Sequence, residues 1–131
     1  MNKKLKDELL VGNRSQAESQ TINLLRFQFK KLTILPNDKT AIGKELDLYL
    51  PEFKVAIEID GITHWKPIFG EETLQRTIKA DQRKDLLCEQ AGIKLIRIKL
   101  PEKSGDTYIY LKEDIKDRVV PEIRTWLNNK T

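Results

Sequence analysis

The run Glu45-Leu-Asp-Leu-Tyr-Leu-Pro-Glu-Phe-Lys-Val-Ala-Ile-Glu-Ile-Asp60-Gly61 leaves a folded chain few options. Side chains alternate along a strand, so Leu46, Leu48 and Leu50 share one face while Glu45, Asp47 and Tyr49 share the other. The second half repeats the division, with Val55, Ile57 and Ile59 on one face and Ala56, Glu58 and Asp60 on the other. Pro51 to Lys54 supplies a short turn between the two. A β-hairpin of this kind brings Asp47, Glu58 and Asp60 together. Clustered carboxylates repel one another and lose hydration, so a fold keeps them where a cation offsets the charge. The pattern therefore predicts a divalent-metal site.

The rest of the chain predicts the order α-β-β-β-α-β-α. Residues 1–12 mix charge with Leu5, Leu9, Leu10 and Val11, as a short helix or a mobile basic arm, and Gly12-Asn13 breaks them off. Ser15 and Glu18 have the spacing of a capping box, which starts a helix over residues 16–31. Leu32 to Leu35 reads as an edge strand ended by Pro36-Asn37-Asp38. After the hairpin, Gly61 to Gly70 is a loop and Glu71 to Gln90 a helix stopped by Gly92. Ile93 to Leu100 forms another strand, and a loop at Glu102 to Asp106 follows. A helix carrying Leu111, Ile115 and Val119 comes next. Pro121 opens a final helix, anchored by Trp126 and Leu127. The 131 residues fit one domain over residues 13–131, with 39% hydrophobic residues to furnish a core.

Charge and cysteine usage limit the setting. A net charge of +4 surrounds an acidic hairpin face, a combination suited to a polyanion processed with metal help. A lone cysteine, Cys88, makes neither an internal disulfide nor a zinc cluster, which points to an intracellular protein. No apolar stretch resembles a signal peptide or a membrane span, so a cytoplasmic location is expected.

Helical phase adds one more carboxylate. At about 100° per residue, Asp81 and Asp85 fall within roughly 20° of Leu74, on the side of Ile78 and Cys88. An aspartate on an inward stripe is costly without a partner. Asp81 either faces the hairpin carboxylates, supporting a metal or binding it, or lies with Asp85 in solvent. Glu18 can serve as a helix cap alone or lean toward an adjacent metal. His64, the sole histidine, lies in the loop after Asp60, placed to act as a general base or to orient a phosphate. Trp65 is suited either to stack on a base or to cover the core. Lys66, Lys79 and Lys84 are candidate contacts to a nucleic-acid backbone. This arrangement suits phosphodiester hydrolysis by a water that one or two Mg²⁺ ions activate.

Asp47 followed by Glu58-Ile-Asp60 on the next strand resembles the PD-(D/E)xK nuclease core. A longer pattern extends the likeness. It consists of Glu18 on the first helix, Leu46-Asp47-Leu-Tyr-Leu-Pro51, Ala56-Ile-Glu-Ile-Asp-Gly61, His64-Trp65, and Asp81-Gln-Arg83-Lys-Asp85 running on to Gly92-Ile-Lys-Leu-Ile-Arg97. This is similar to the branch holding the very short patch mismatch repair endonucleases and the EDxHD homing endonucleases. The resemblance implies an α/β fold with a restriction endonuclease-like core, a central mixed sheet flanked by helices.

It also implies a catalytic set of Asp47, Glu58, His64, Glu18, Asp60 and Asp81, with Asp47, Glu58 and Glu18 holding Mg²⁺ or Mn²⁺. Double-stranded DNA is the implied substrate, with a homodimer or protein partner wherever both strands are cut. Two departures stand out. Asp60 replaces the lysine of the motif, so water activation would fall to the metal, to His64, or to a lysine from the helix such as Lys79 or Lys84. The zinc-binding Cys and His residues of the repair enzymes are missing, which removes support for T:G specificity. The rival readings are a nuclease-fold DNA-binding accessory module without activity, and a structural α/β domain whose acidic face is merely solvated.

Overall fold

The computed structural model describes residues 3–102 and 107–130, with side chains from residue 16 onward. Its elements are α1 (Lys3–Gln28), β1 (Leu35–Asp38), β2 (Leu46–Leu50), β3 (Val55–Asp60), α2 (Glu71–Gln90), β4 (Lys94–Lys99), α3 (Thr107–Asp114) and α4 (Val120–Asn128). The strands form one mixed sheet in the order β1-β2-β3-β4, antiparallel except for the parallel pair β3 and β4. It is an α/β protein with helices on both faces of the sheet. Among the described residues no helix is long and apolar enough to cross a membrane.

Alternation sorts the sheet into two unequal faces. One carries Leu48, Leu50, Val55, Ile57, Ile59, Ile96 and Ile98, packed against Ala17 and Leu25 of α1 and Leu111, Ile115, Val119 and Ile123 of the C-terminal helices. On α1 the buried stripe is Ala17, Thr21 and Leu25, and the Thr21 hydroxyl is satisfied by donating to the Ala17 carbonyl at 2.7 Å. Phe27 is off that stripe and exposed. The second face carries a smaller apolar cluster of Leu46, Ala56, Cys88 and Ile93, and beyond it the polar groups described below.

Local chemistry sets the boundaries of α2 and the hairpin. Gly92 has φ +71°, the left-handed conformation in which a glycine costs least. Its N–H donates to the Glu89 carbonyl at 3.1 Å and the Ile93 N–H to the Cys88 carbonyl at 2.9 Å. These bonds satisfy the carbonyls at the helix end and turn Ile93 onto Cys88. Pro51 to Lys54 makes the hairpin turn, and the Trp126 indole donates to the Phe53 carbonyl at 2.8 Å, tying α4 to it.

Several sequence expectations need correction. α1 neither breaks at Gly12-Asn13 nor begins at residue 16, because it runs continuously from Lys3 and ends at Gln28. One interior glycine costs a helix only about 1 kcal/mol. Glu18 is therefore well inside the helix rather than at its start. The side chain of Ser15, and residues 1 and 2, lie outside what the structure describes.

The edge strand is not Leu32 to Leu35 but Leu35–Asp38, including the proline and asparagine expected to end it. At a sheet edge Pro36 leaves no inner ladder bond unmade. The Asp38 carboxylate turns the chain by accepting from the Thr40 and Ala41 N–H groups. Leu46 packs with Ala56 and Cys88 rather than with Leu48 and Leu50, because the β2–β3 ladder stops at Leu48. The loop expected over residues 61–70 contains a single 3-10 turn, Ile62–His64. Beyond Glu102 the next expected loop lies outside the described residues.

Pro121 falls in the first turn of α4, yet no loop separates it from α3. A π-turn over Ile115–Val119 joins them, closed by the Val120 N–H donating to the Ile115 carbonyl. Proline has no N–H and its ring crowds the carbonyl four residues back, and the wider turn relieves that clash without ending the rod.

Ile57 is fully buried at the centre of the main core. Ile57→Ala is expected to lower unfolding free energy by about 2–5 kcal/mol in urea titrations. A loss below about 1 kcal/mol would mean that the core does not centre there.

Candidate active site

The candidate site forms where β2 and β3 part. Beyond Leu48↔Ile57 the backbone ladder gives way to side chains. The Asp47 N–H donates to Glu58 Oε2 at 2.7 Å, and the Ile59 N–H donates to Asp47 Oδ2 at 2.7 Å. Each carboxylate thus takes the place of a ladder acceptor, and both are only 3% exposed. Lys84 of α2 reaches the same point and ion-pairs with Glu58 Oε1. Even so, burial and the adjacent Asp47 charge outweigh the lysine and push the Glu58 carboxyl up to about 7.

A second polar cluster adjoins it at the carboxyl end of β3. His64 Nδ1 is 2.8 Å from Asp81 Oδ2 and 3.6 Å from Asp60 Oδ1. An ionised carboxylate only accepts, so Nδ1 carries the proton in this contact and Nε2 is left as the basic atom. Arg97 of β4 binds Asp60 at 3.2 Å, Asp81 at 3.5 Å and Asp85 at 2.8 Å. Burial pushes the Asp60 carboxyl above its ordinary range, while His64 and Arg97 pull it back. Burial alone would lower Arg97, but the hydrogen bonds to Asp85 and the three surrounding carboxylates outweigh it and hold the guanidinium charged.

The remaining residues singled out in the sequence are dispersed around these clusters. Glu18 is half-buried on α1, next to the buried Ala17, and already has an interaction there. Trp65 is half-buried, with Lys99 Nζ 4.4 Å above its ring. Lys66 pairs with Glu102 at 2.5 Å, and Lys79 is exposed on α2. Asp81 is turned toward the hairpin carboxylates rather than into solvent. Asp85 is exposed but held by Arg97.

Arg97 is the residue that sequence reasoning left without a role. A signal for it existed, because in Leu95-Ile-Arg-Ile-Lys99 the arginine alternates with two core isoleucines and so faces the carboxylate side of the sheet. Its Cα is the register partner of Glu58.

Two sets of ligand atoms could hold a cation. Among the described residues Asp60, His64 and Asp81 bring ligand atoms within 4.8 Å of one another. That group is already engaged by Arg97, which binds Asp60 and Asp81 and which an ion would have to displace. Asp47 and Glu58 offer a hard, all-oxygen set, the donor type that Mg²⁺ and Mn²⁺ take.

The chain is similar to a viral protein. It is 27% identical over 97 residues to "Uncharacterized protein 307L" of Invertebrate iridescent virus 6, covering 71% of this chain and 49% of that protein. The chain thus spans about half the length of the relative it matches. No family model and no solved structure matches it.

The raised Glu58 pKa has a consequence for stability. An unfolded glutamate titrates near 4.3, so between about pH 4.3 and 7 the folded state binds more protons and stability falls as pH rises. Glu58→Gln removes this dependence. In metal-free urea titrations the variant should gain stability relative to wild type from pH 5 to pH 8 by on the order of 1 kcal/mol or more. A difference that stays flat across that window would mean that Glu58 titrates in its ordinary range.

Proposed function

We propose that this protein is a metal-dependent DNA endonuclease with a restriction endonuclease-like core, hydrolysing phosphodiester bonds with an activated water. The observation that carries the reading is the buried Asp47–Glu58 pair at the parting of β2 and β3, with Lys84 on the second carboxylate. A purely structural domain gains little from two desolvated carboxylates on one face. An inactive DNA-binding module gains still less from acid near phosphates.

Asp47 and Glu58, with Glu18 from α1, would hold Mg²⁺ or Mn²⁺. Such an ion supplies a lower pKa for water and a positive charge opposite the one developing on the phosphoryl oxygens. The other roles belong to the chain itself. Nε2 of His64 takes the proton from the attacking water as its oxygen bonds to phosphorus. The P–O ester bond then breaks as a solvent water protonates the departing oxygen, leaving a phosphate monoester and a hydroxyl, and the imidazolium later returns its proton to solvent. Asp81 stabilises the imidazolium that forms, through Nδ1. Lys84 supplies from α2 the ammonium that the motif otherwise carries at position 60. Trp65, Lys66 and Lys79 would contact double-stranded DNA. One such site cuts one strand, so double-strand cleavage would take a homodimer, a protein partner or two successive events.

Cleavage of supercoiled and linear DNA in Mg²⁺, Mn²⁺ or EDTA tests the reading. Wild type should cut only with a divalent ion. Asp47→Asn and Glu58→Ala should abolish cutting with the fold retained by circular dichroism, and His64→Ala should slow it by about 10²–10⁴-fold. Substantial cutting by Asp47→Asn, or cutting in EDTA, would remove the metal role. DNA binding without cleavage under every metal and substrate would turn the reading to an accessory module.

A further inference from the structure

We propose that Arg97 is the positioning residue of this site, fixing the proton of His64 on Nδ1 so that Nε2 is the base. The inference rests on the nuclease reading only for its kinetic consequence.

The geometry is that of a clamp across three elements. From β4, Arg97 Nη1 donates to both Asp60 oxygens on β3, at 3.3 and 3.2 Å. Its Nη2 donates to the Asp81 carbonyl at 3.1 Å and to Asp85 Oδ1 at 2.8 Å, both on α2, and its Nε to Asp85 Oδ1 at 3.2 Å. The strand carrying it is held in turn, since Arg118 Nη2 donates to the Arg97 carbonyl at 2.9 Å while pairing with Asp114 at 2.7 Å. The guanidinium is therefore directed at both residues that meet His64, Asp60 and Asp81, and is anchored besides on Asp85.

This arrangement settles which carboxylate the imidazole meets. Two aspartates compete for Nδ1, with Asp81 at 2.8 Å and Asp60 at 3.6 Å. Arg97 engages both oxygens of Asp60 and holds the C-terminal half of α2 against β4 through the Asp81 carbonyl and Asp85. Asp81 Oδ2 is thereby left as the acceptor for Nδ1–H. A planar group with five donors can make these bonds together, whereas an ammonium cannot. Without the clamp, Asp60 and Asp81 are free to part, and the imidazole reverts to the mixture of a free side chain, in which the Nε2–H form predominates. In that form the outward nitrogen is a donor and cannot accept a proton from water.

His64 is the sole histidine, so its ring nitrogens can be followed by ¹⁵N NMR without ambiguity. At about pH 9, where an ordinary imidazole is neutral, wild type should show a protonated Nδ1 and a bare Nε2. In Arg97→Met the two shifts should move toward the free mixture. A purely structural arginine would lower thermal stability and leave the tautomer unchanged, and a Met variant that folds with wild-type ring shifts overturns the proposal. Should Arg97→Met not fold, Arg97→Lys decides the matter in the same way. It should shift part of the way, and wild-type ring shifts in it would overturn the proposal.

In cleavage assays the Met variant should lose about 10- to 100-fold in kcat with little change in KM. If wild type proves not to cut DNA, the nuclease reading fails while the tautomer comparison still decides the role of Arg97.

Discussion

The exchange between backbone and carboxylate at Asp47 and Glu58 is the interaction on which the rest depends. Two antiparallel strands ordinarily spend their N–H groups on each other's carbonyls. Here each of two N–H groups is given to a buried carboxylate from the opposite strand. Hydrogen bonds to charged groups contribute about 1.5–3 kcal/mol each, whereas taking a carboxylate out of water costs several. The bonds therefore hold the carboxylates in place without fully offsetting their burial, and the Glu58 carboxyl, raised to about 7, registers the shortfall. Site and hairpin are one structure, since the ladder could not close at this point without evicting the acids.

That placement becomes tolerable because the sheet divides its duties. The face against α1, α3 and α4 holds nearly all the large buried aliphatic side chains. The face against α2 has only the small cluster around Leu46, Ala56, Cys88 and Ile93. α2 is consequently attached by a modest apolar end and by ion pairs, with Lys84 on Glu58 and Asp81 and Asp85 on Arg97. A helix docked chiefly through charge can carry functional groups that a fully apolar interface would exclude.

Much of this was legible in the sequence, for identifiable physical reasons. The hairpin bounds, α2 and its glycine stop, and the alternation of β4 follow from period-two and period-3.6 patterns and from backbone chemistry, which are local. Gly12 misled because a glycine weakens a helix without ending it, and packing can override a single unfavourable residue. Pro36 misled because its cost depends on which edge of the sheet it occupies, a tertiary property. Leu46 misled because alternation assumes an unbroken ladder, and the acids break this one. Lys84 could be named as one of two lysines able to arrive from the helix, but the choice between it and Lys79 needed the position of α2 over the sheet. Arg97 lies 37 residues from Asp60 and 16 from Asp81, and only the parallel crossover brings them into contact.

The two polar clusters hold their charge in different ways, and this difference separates their roles. Asp60, Asp81 and Asp85 share one guanidinium with fixed geometry, and His64 adds a group that can become positive. That cluster can absorb a proton without recruiting anything from outside. Lys84 pairs with Glu58, and burial together with the adjacent Asp47 charge raises the Glu58 carboxyl to about 7. Positive charge beside Asp47 and Glu58 would draw the Glu58 carboxyl back down, whereas at the first cluster it would have to displace a guanidinium of fixed geometry. On the proposed reading the division is what hydrolysis requires, since the group that gathers the proton and the group that gathers the cation must be adjacent and must not compete. A sheet that parts its strands at Asp47 while α2 spans both clusters meets that requirement with side chains from β2, β3, β4 and one helix.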